Sequence, residues 1–130
     1  MTKEGYIKYW RRTSEDDWKR AELFVGEKDY VFSLFCLHLS MEKLTKALWV
    51  KEHKGNFPPK IHNLLALVEK SSLNLSEDQI RFLDQLNQFQ LEGRYPDYQG
   101  KIQKIATAKL SREFLEKAKE FKSCIHEALE

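Results

Sequence analysis

Apolar positions recur at helical intervals almost throughout the chain, and glycine or proline marks the places where the recurrence stops. Tyr6, Tyr9, Trp10, Ala21, Phe24 and Val25 fall at helical spacing, with Arg11, Arg12, Glu15 and Asp16 between them, which predicts a first helix over about Lys3 to Val25 that Gly26 ends. A second helix is predicted over about Asp29 to His53. Its first half, Val31 to Leu39, is apolar nearly all round, as expected of a helix in the middle of a bundle. Its second half turns amphipathic, with Met41, Leu44, Leu48 and Trp49 on one side.

After the breaks at Gly55, Pro58 and Pro59, Ile61, Leu64, Leu65 and Val68 predict a short third helix over about Ile61 to Lys70. Ser76 followed by Gln79 has the form of a capping box, in which each side chain satisfies the other's backbone N–H. It opens a fourth helix to about Leu91, with Ile80, Leu83, Leu86 and Phe89 facing inward. Gly93, Pro96 and Gly100 break the pattern again. A fifth helix is expected over about Ile102 to Leu129, with the stripe Leu110, Phe114, Ala118, Phe121 and Ile125. No stretch alternates in the manner of a strand. The prediction is all-α: an up-and-down bundle of about five helices, with the second at its centre.

The 130 residues suit a single domain, 1–130, able to bury a core without metal or disulfide staples. The charge is +2, from 22 basic and 20 acidic residues, too balanced for a dedicated polybasic nucleic-acid binder. No apolar run approaches the roughly 20 residues needed to span a bilayer, and Met1 to Trp10 has no apolar signal-like run, so a cytoplasmic protein without membrane contact is expected. Cys36 and Cys124 lie apart in apolar helical stretches, which favours free buried thiols over a disulfide.

Polar residues collect in a few places. Glu42 and Lys46 are four apart on the second helix and can pair, with Lys43 beside them and His38 one turn earlier. Two readings stand: a salt-bridged surface strip, or a polar pocket that holds phosphate through Lys43 or Lys46. His62 can order the loop before the third helix, or act as a general base or RNA contact. The segment Gly93 to Tyr98 gathers Arg94, Tyr95, Pro96, Asp97 and Tyr98, and the Arg94 guanidinium suits a phosphate or carboxylate. Its bland reading is a loop in which Arg94 pairs with Asp97. None of His38, His53, His62 or His126 has a Glu three residues before it, and no Cys/His zinc pattern or phosphate-cradling glycine motif occurs. No metal or cofactor is expected.

Taken in order, these motifs resemble the HEPN domain family along nearly the whole chain. The resemblance is carried by Asp17-Trp18-Lys19-Arg20-Ala21, by the turn Gly26 to Tyr30, and by Ser40 to Leu48 with its Glu42-Lys43 and Lys46-Ala47 pairs. Pro58-Pro59 with His62-Asn63-Leu64, and Arg94-Tyr95-Pro96-Asp97, complete it. It implies a helical up-and-down bundle that usually dimerises, often encoded beside a minimal nucleotidyltransferase as a toxin–antitoxin pair. Many HEPN domains are metal-independent ribonucleases using an Arg followed four to six residues later by a His, from both subunits. Here Arg94 matches that Arg, but the next histidine is His126, and Arg11, Arg12, Arg20, Arg81 and Arg112 also lack a His at that spacing. The expected function is therefore a binding module for a nucleotidyltransferase partner, nucleotide or RNA, through Arg94, Tyr95, Asp97, Lys43, Lys46, Glu42 and His62. The alternatives are a ribonuclease in which Tyr95, Tyr98 or His62 replaces the missing His, and a purely structural interaction bundle. A homodimer is expected, because Tyr6, Tyr9, Trp10, Trp18 and Trp49 exceed what a small core needs.

Overall fold

A computed structural model of the chain describes residues 1–92 and 100–130. The described residues form six helices and no strand: α1 (Lys3–Gly26), α2 (Tyr30–Glu52), α3 (Leu64–Glu69), α4 (Glu77–Glu92), α5 (Lys101–Ile105) and α6 (Ala108–Leu129). The all-α bundle expected from the periodicity is present. α2 packs against each of the other five helices. Leu34 and Leu37 of its apolar run and Met41, Leu44 and Leu48 of its amphipathic half are fully buried, whereas Val31, Phe35 and Leu39 in the run are half-buried and Phe32 is exposed, so the run is not buried all round.

The ends of the elements follow local chemistry. Thr2 accepts from the Gly5 N–H to open α1. Gly26 remains helical, and the turn beyond it is made by Lys28, whose φ of 63° lies in the left-handed region. The Lys28 and Asp29 N–H groups donate back to Val25 and Phe24, the pattern that normally selects glycine where lysine stands here. Asp29 then caps α2 through the Phe32 N–H. The predicted capping box is borne out: the Gln79 N–H donates to Ser76 Oγ at 3.2 Å, and the Ser76 N–H to Gln79 Oε1 at 3.0 Å.

Three expectations need correction. The third helix begins at Leu64 rather than Ile61, because Asn63 Oδ1 accepts from the Leu65 and Ala66 N–H groups and so sets the start. The last helix is two: Ala106 and Thr107 separate α5 from α6, and the Thr107 hydroxyl caps α6 through the Leu110 N–H at 3.1 Å. A threonine cap carries no glycine or proline signal, so periodicity alone runs through it. Finally, Ile80 faces solvent, at 44 % exposure, while Phe82 joins Leu83, Leu86 and Phe89 in the core.

α1 and α2 approach closely at a pair of serines. Ser14 Oγ donates to the Ser40 carbonyl at 2.7 Å, and Ser40 Oγ returns the bond to the Ser14 carbonyl at 2.8 Å. Small side chains let the two backbones meet, and each buried hydroxyl is satisfied. The core contact of α1 comes from Trp18 and Ala21, whereas Tyr6 and Trp10 are only half-buried and Tyr9 is exposed. Cys36 and Cys124 are both free; Cys36 is buried as expected, but Cys124 is only half-buried, next to Gln79. No described helix is long and apolar enough to cross a membrane.

Candidate functional site

Residues 38, 42 and 46 stack one turn apart on α2, and the fold buries all three. Glu42 is the hub. Its Oε2 accepts from Lys46 Nζ at 2.9 Å, and both of its oxygens lie 3.2 Å from His62 Nδ1. His38 Nδ1 stands 3.8 Å from Glu42 Oε1. On its other side, His38 Nε2 lies 3.2 Å from Asn87 Oδ1 on α4. That oxygen also accepts from the Leu64 N–H at 2.9 Å, while Asn87 Nδ2 donates to Asn63 Oδ1 at 3.0 Å. The Asn87 amide is thereby oriented, and His38 Nε2 must be the donor toward it. One polar network thus ties α2, α4 and the start of α3 together.

Burial is the main reason that the His38 imidazole is pushed down from 6.5 to about 4, against the opposing pull of Glu42 and the Asn87 hydrogen bond. His38 is therefore neutral at physiological pH. His62 differs: its side chain is 51 % exposed, with Nδ1 turned inward to Glu42. In the tautomer that donates Nδ1–H to Glu42, Nε2 faces outward. Lys46 is buried along its length, and its ammonium also stands 5.7 Å from the Trp10 ring centroid.

Lys43 belongs elsewhere. Its Nζ lies 2.6 Å from Asp17 Oδ2, and Arg20 Nη1 holds Asp17 Oδ1 at 2.8 Å. The buried Asp17 carboxylate is thus paired with two cations at the α1–α2 boundary. It adds to the burial that raises the nearby Cys36 thiol to about 11, so this cysteine is an inert thiol.

The fold therefore brings together Glu42, Lys46 and His62 from the expected set and does not bring Lys43 to them. Arg94, Tyr95 and Asp97, with Tyr98, lie outside the described residues. Among the described residues no group of three or more His, Cys, Asp or Glu is placed to hold a metal ion. Asn87 escaped sequence reasoning. Its signal is a polar residue four after Leu83, within the buried face of α4. Asp17 carries a similar one: Ser14, Asp17, Trp18 and Ala21 follow the spacing of a buried helix face, so a carboxylate there requires a partner.

The family model for the HEPN domain matches residues 7–128. The chain belongs to the HEPN domain family. The match encloses the Glu42 network and the Asp17–Lys43 pair, so both are features of this HEPN domain's own core rather than of an appended segment. The fold is similar to the crystal structure of TT1696 from Thermus thermophilus, with a TM-score of 0.77 over 94 % of this chain and 97 % of that one. Identity is 17 %, so the likeness is one of fold. A search among curated proteins returns no sequence match.

Proposed function

We propose that this HEPN domain is a binding module, the partner of a minimal nucleotidyltransferase in a toxin–antitoxin-type pair, and that it holds nucleotide, RNA or protein as a homodimer without catalysis. The single observation that carries the reading is the engagement of the polar network. Glu42 has both oxygens occupied, Lys46 is spent on Glu42, and His38 is buried and neutral. Glu42 and Lys46 so paired, with His38 enclosed beside them, form a rigid frame rather than a reacting centre, although His38 Nδ1 itself has no hydrogen-bond partner. The absence of a histidine close after Arg94 in the sequence supports the same conclusion.

One observation favours a second reading. The half-exposed His62 imidazole, backed by Glu42, has the form of an oriented general base. In RNA cleavage it would take the proton of a 2′-hydroxyl as that oxygen attacks the phosphorus and the 5′-oxygen leaves.

Two measurements separate the readings. Co-purification with a neighbouring nucleotidyltransferase, lost in Arg94→Ala and weakened in Arg94→Lys at unchanged melting temperature, supports the module. Lysine keeps the charge but loses the paired hydrogen bonds of the guanidinium. RNA cleavage by the purified chain that vanishes in His62→Gln replaces the module with the ribonuclease. Loss of stability in both Arg94 variants with binding intact makes Arg94 part of the scaffold.

A further inference from the structure

The first three turns of α1 are unlike the rest of the helix. No residue from Lys3 to Thr13 is fully buried, whereas Ser14, Asp17, Trp18 and Ala21 are. Depressions flank these turns on both sides. Toward α6 lies a groove of about 950 Å³, walled by Ile7, Lys8, Arg11 and Arg12 and closed by His126 and Leu129. Toward the loop after α2 lies an apolar slot of about 300 Å³, lined by Tyr6, Tyr9, Trp10, Phe57 and Pro58. Phe57 is 76 % exposed and Tyr9 43 % exposed.

The cations of the groove divide into two kinds. Lys3 is spent on the carbonyls of Val50, His53 and Gly55, and Lys51 on those of Ala128 and Glu130. Arg11 Nη2 lies 3.2 Å from His126 Nδ1 and 3.9 Å from Glu130 Oε1. Lys8 and Arg12, one turn apart, have no ion-pair partner among the described residues. The Arg12 guanidinium lies 5.7 Å from the centroid of Tyr9, which lines the slot. Free positive charge and an open apolar slot thus adjoin across a single ridge of helix. Lysine and arginine outnumber glutamate in the groove five to two: Glu15 is held by Lys122 at 2.8 Å, and Glu4, one turn before Lys8, is the one carboxylate there without an ion pair among the described residues.

We propose that this stretch of α1 is a docking surface for an acidic segment of a partner protein, with carboxylates on Lys8 and Arg12 and one aliphatic side chain seated in the slot. Charge complementarity selects the acid. The slot suits an aliphatic anchor: its lining is largely aromatic and, Asn56 apart, without polar side chains beyond the tyrosine hydroxyls and the Trp10 N–H, and its rings meet edge to face, Tyr6 with Phe57 at 69° and Tyr9 with Trp10 at 72°. Two-fold pairing through this face would set the same cationic strip against itself, so the homodimer proposed above would form through another face, and Tyr6, Tyr9 and Trp10 serve the acidic partner instead. The proposal does not depend on any chemistry at Glu42 and His62.

Fluorescence anisotropy on the full chain tests it, with a labelled synthetic peptide of Asp and Glu around one Leu. Controls carry Leu→Ser, or Asn and Gln for the acids; labelled oligouridine tests for RNA. The expected result is saturable binding to the acidic peptide alone, weakened roughly tenfold by Lys8→Glu with Arg12→Glu, and again by Tyr9→Ser. Melting temperature should not change, since these side chains are exposed. Absence of saturable binding overturns the proposal, as does binding indifferent to the three substitutions. So does oligouridine binding that the same substitutions abolish. Light scattering that shows a dimer in the wild type and a monomer in Tyr9→Ser would assign the face to a second copy.

Discussion

Acidification from pH 7 to 4 will destabilise this domain through His38 in particular. The buried imidazole has its pKa lowered from 6.5 to about 4, so the unfolded chain takes up that proton first. Protonation therefore favours unfolding. The stability due to neutral His38 is complete above about pH 6.5, is lost progressively between 6.5 and 4, and does not change further below that. The interval corresponds to about 3 kcal/mol at 1.36 kcal/mol per unit, a large part of a typical stability of about 5–15 kcal/mol. His126 is lowered as well, by burial and by Arg11 and Lys122, and acts in the same direction from its half-buried position. Urea unfolding across this range, on the wild type and on His38→Gln, isolates the effect. Glutamine keeps an N–H donor toward Asn87 and does not titrate, while the other titrating groups alter both curves alike. The wild type should lose about 3 kcal/mol more than the variant between pH 7 and 4. Parallel curves would refute the reasoning, as would an NMR titration in which the His38 ring protonates near 6.5.

Glu42→Gln leaves the Lys46 ammonium buried without its anion and should cost roughly 3–5 kcal/mol by chemical denaturation; Lys46→Met in the same chain should recover much of this. Leu37→Asp places a carboxylate at a fully buried position and should abolish cooperative unfolding by circular dichroism, since the cost of several kcal/mol rivals the total stability. Phe35→Asp, expected from the apolar run to be as severe, should lower melting but leave a folded chain, because Phe35 is only half-buried. Lys28→Gly should raise stability by about 1 kcal/mol by relieving the left-handed backbone at φ 63°; no change, or a loss, would mean that the lysine side chain stabilises the turn.

The sequence by itself determined what depends on neighbours along the chain. Helical periodicity, the Ser76–Gln79 box, the central place of α2 and the pairing of Glu42 with Lys46 are all written within a few residues of one another. The HEPN resemblance was legible too, because its motifs are short and ordered. Local signals failed where a weaker one went unread, as at Thr107, whose hydroxyl ends one helix and caps the next without glycine or proline. They also failed where a turn took an unusual residue, as at Lys28. Tertiary structure alone decided the character of the site. Spacing allows Glu42 and Lys46 to meet, but only the packing of α1, of the loop before α3 and of α4 removes them from water and adds His62 and Asn87, residues distant in sequence. Lys43 and Lys46 look equivalent in the sequence, yet one is drawn to Asp17 on α1 and the other to Glu42 on its own helix. Ile80 fits the apolar stripe of α4 by spacing, yet the contacts of that helix leave it in solvent and take Phe82 into the core. The free energy of a buried charge or ring is set by whatever surrounds it in space, and that is a property of the folded chain rather than of any segment.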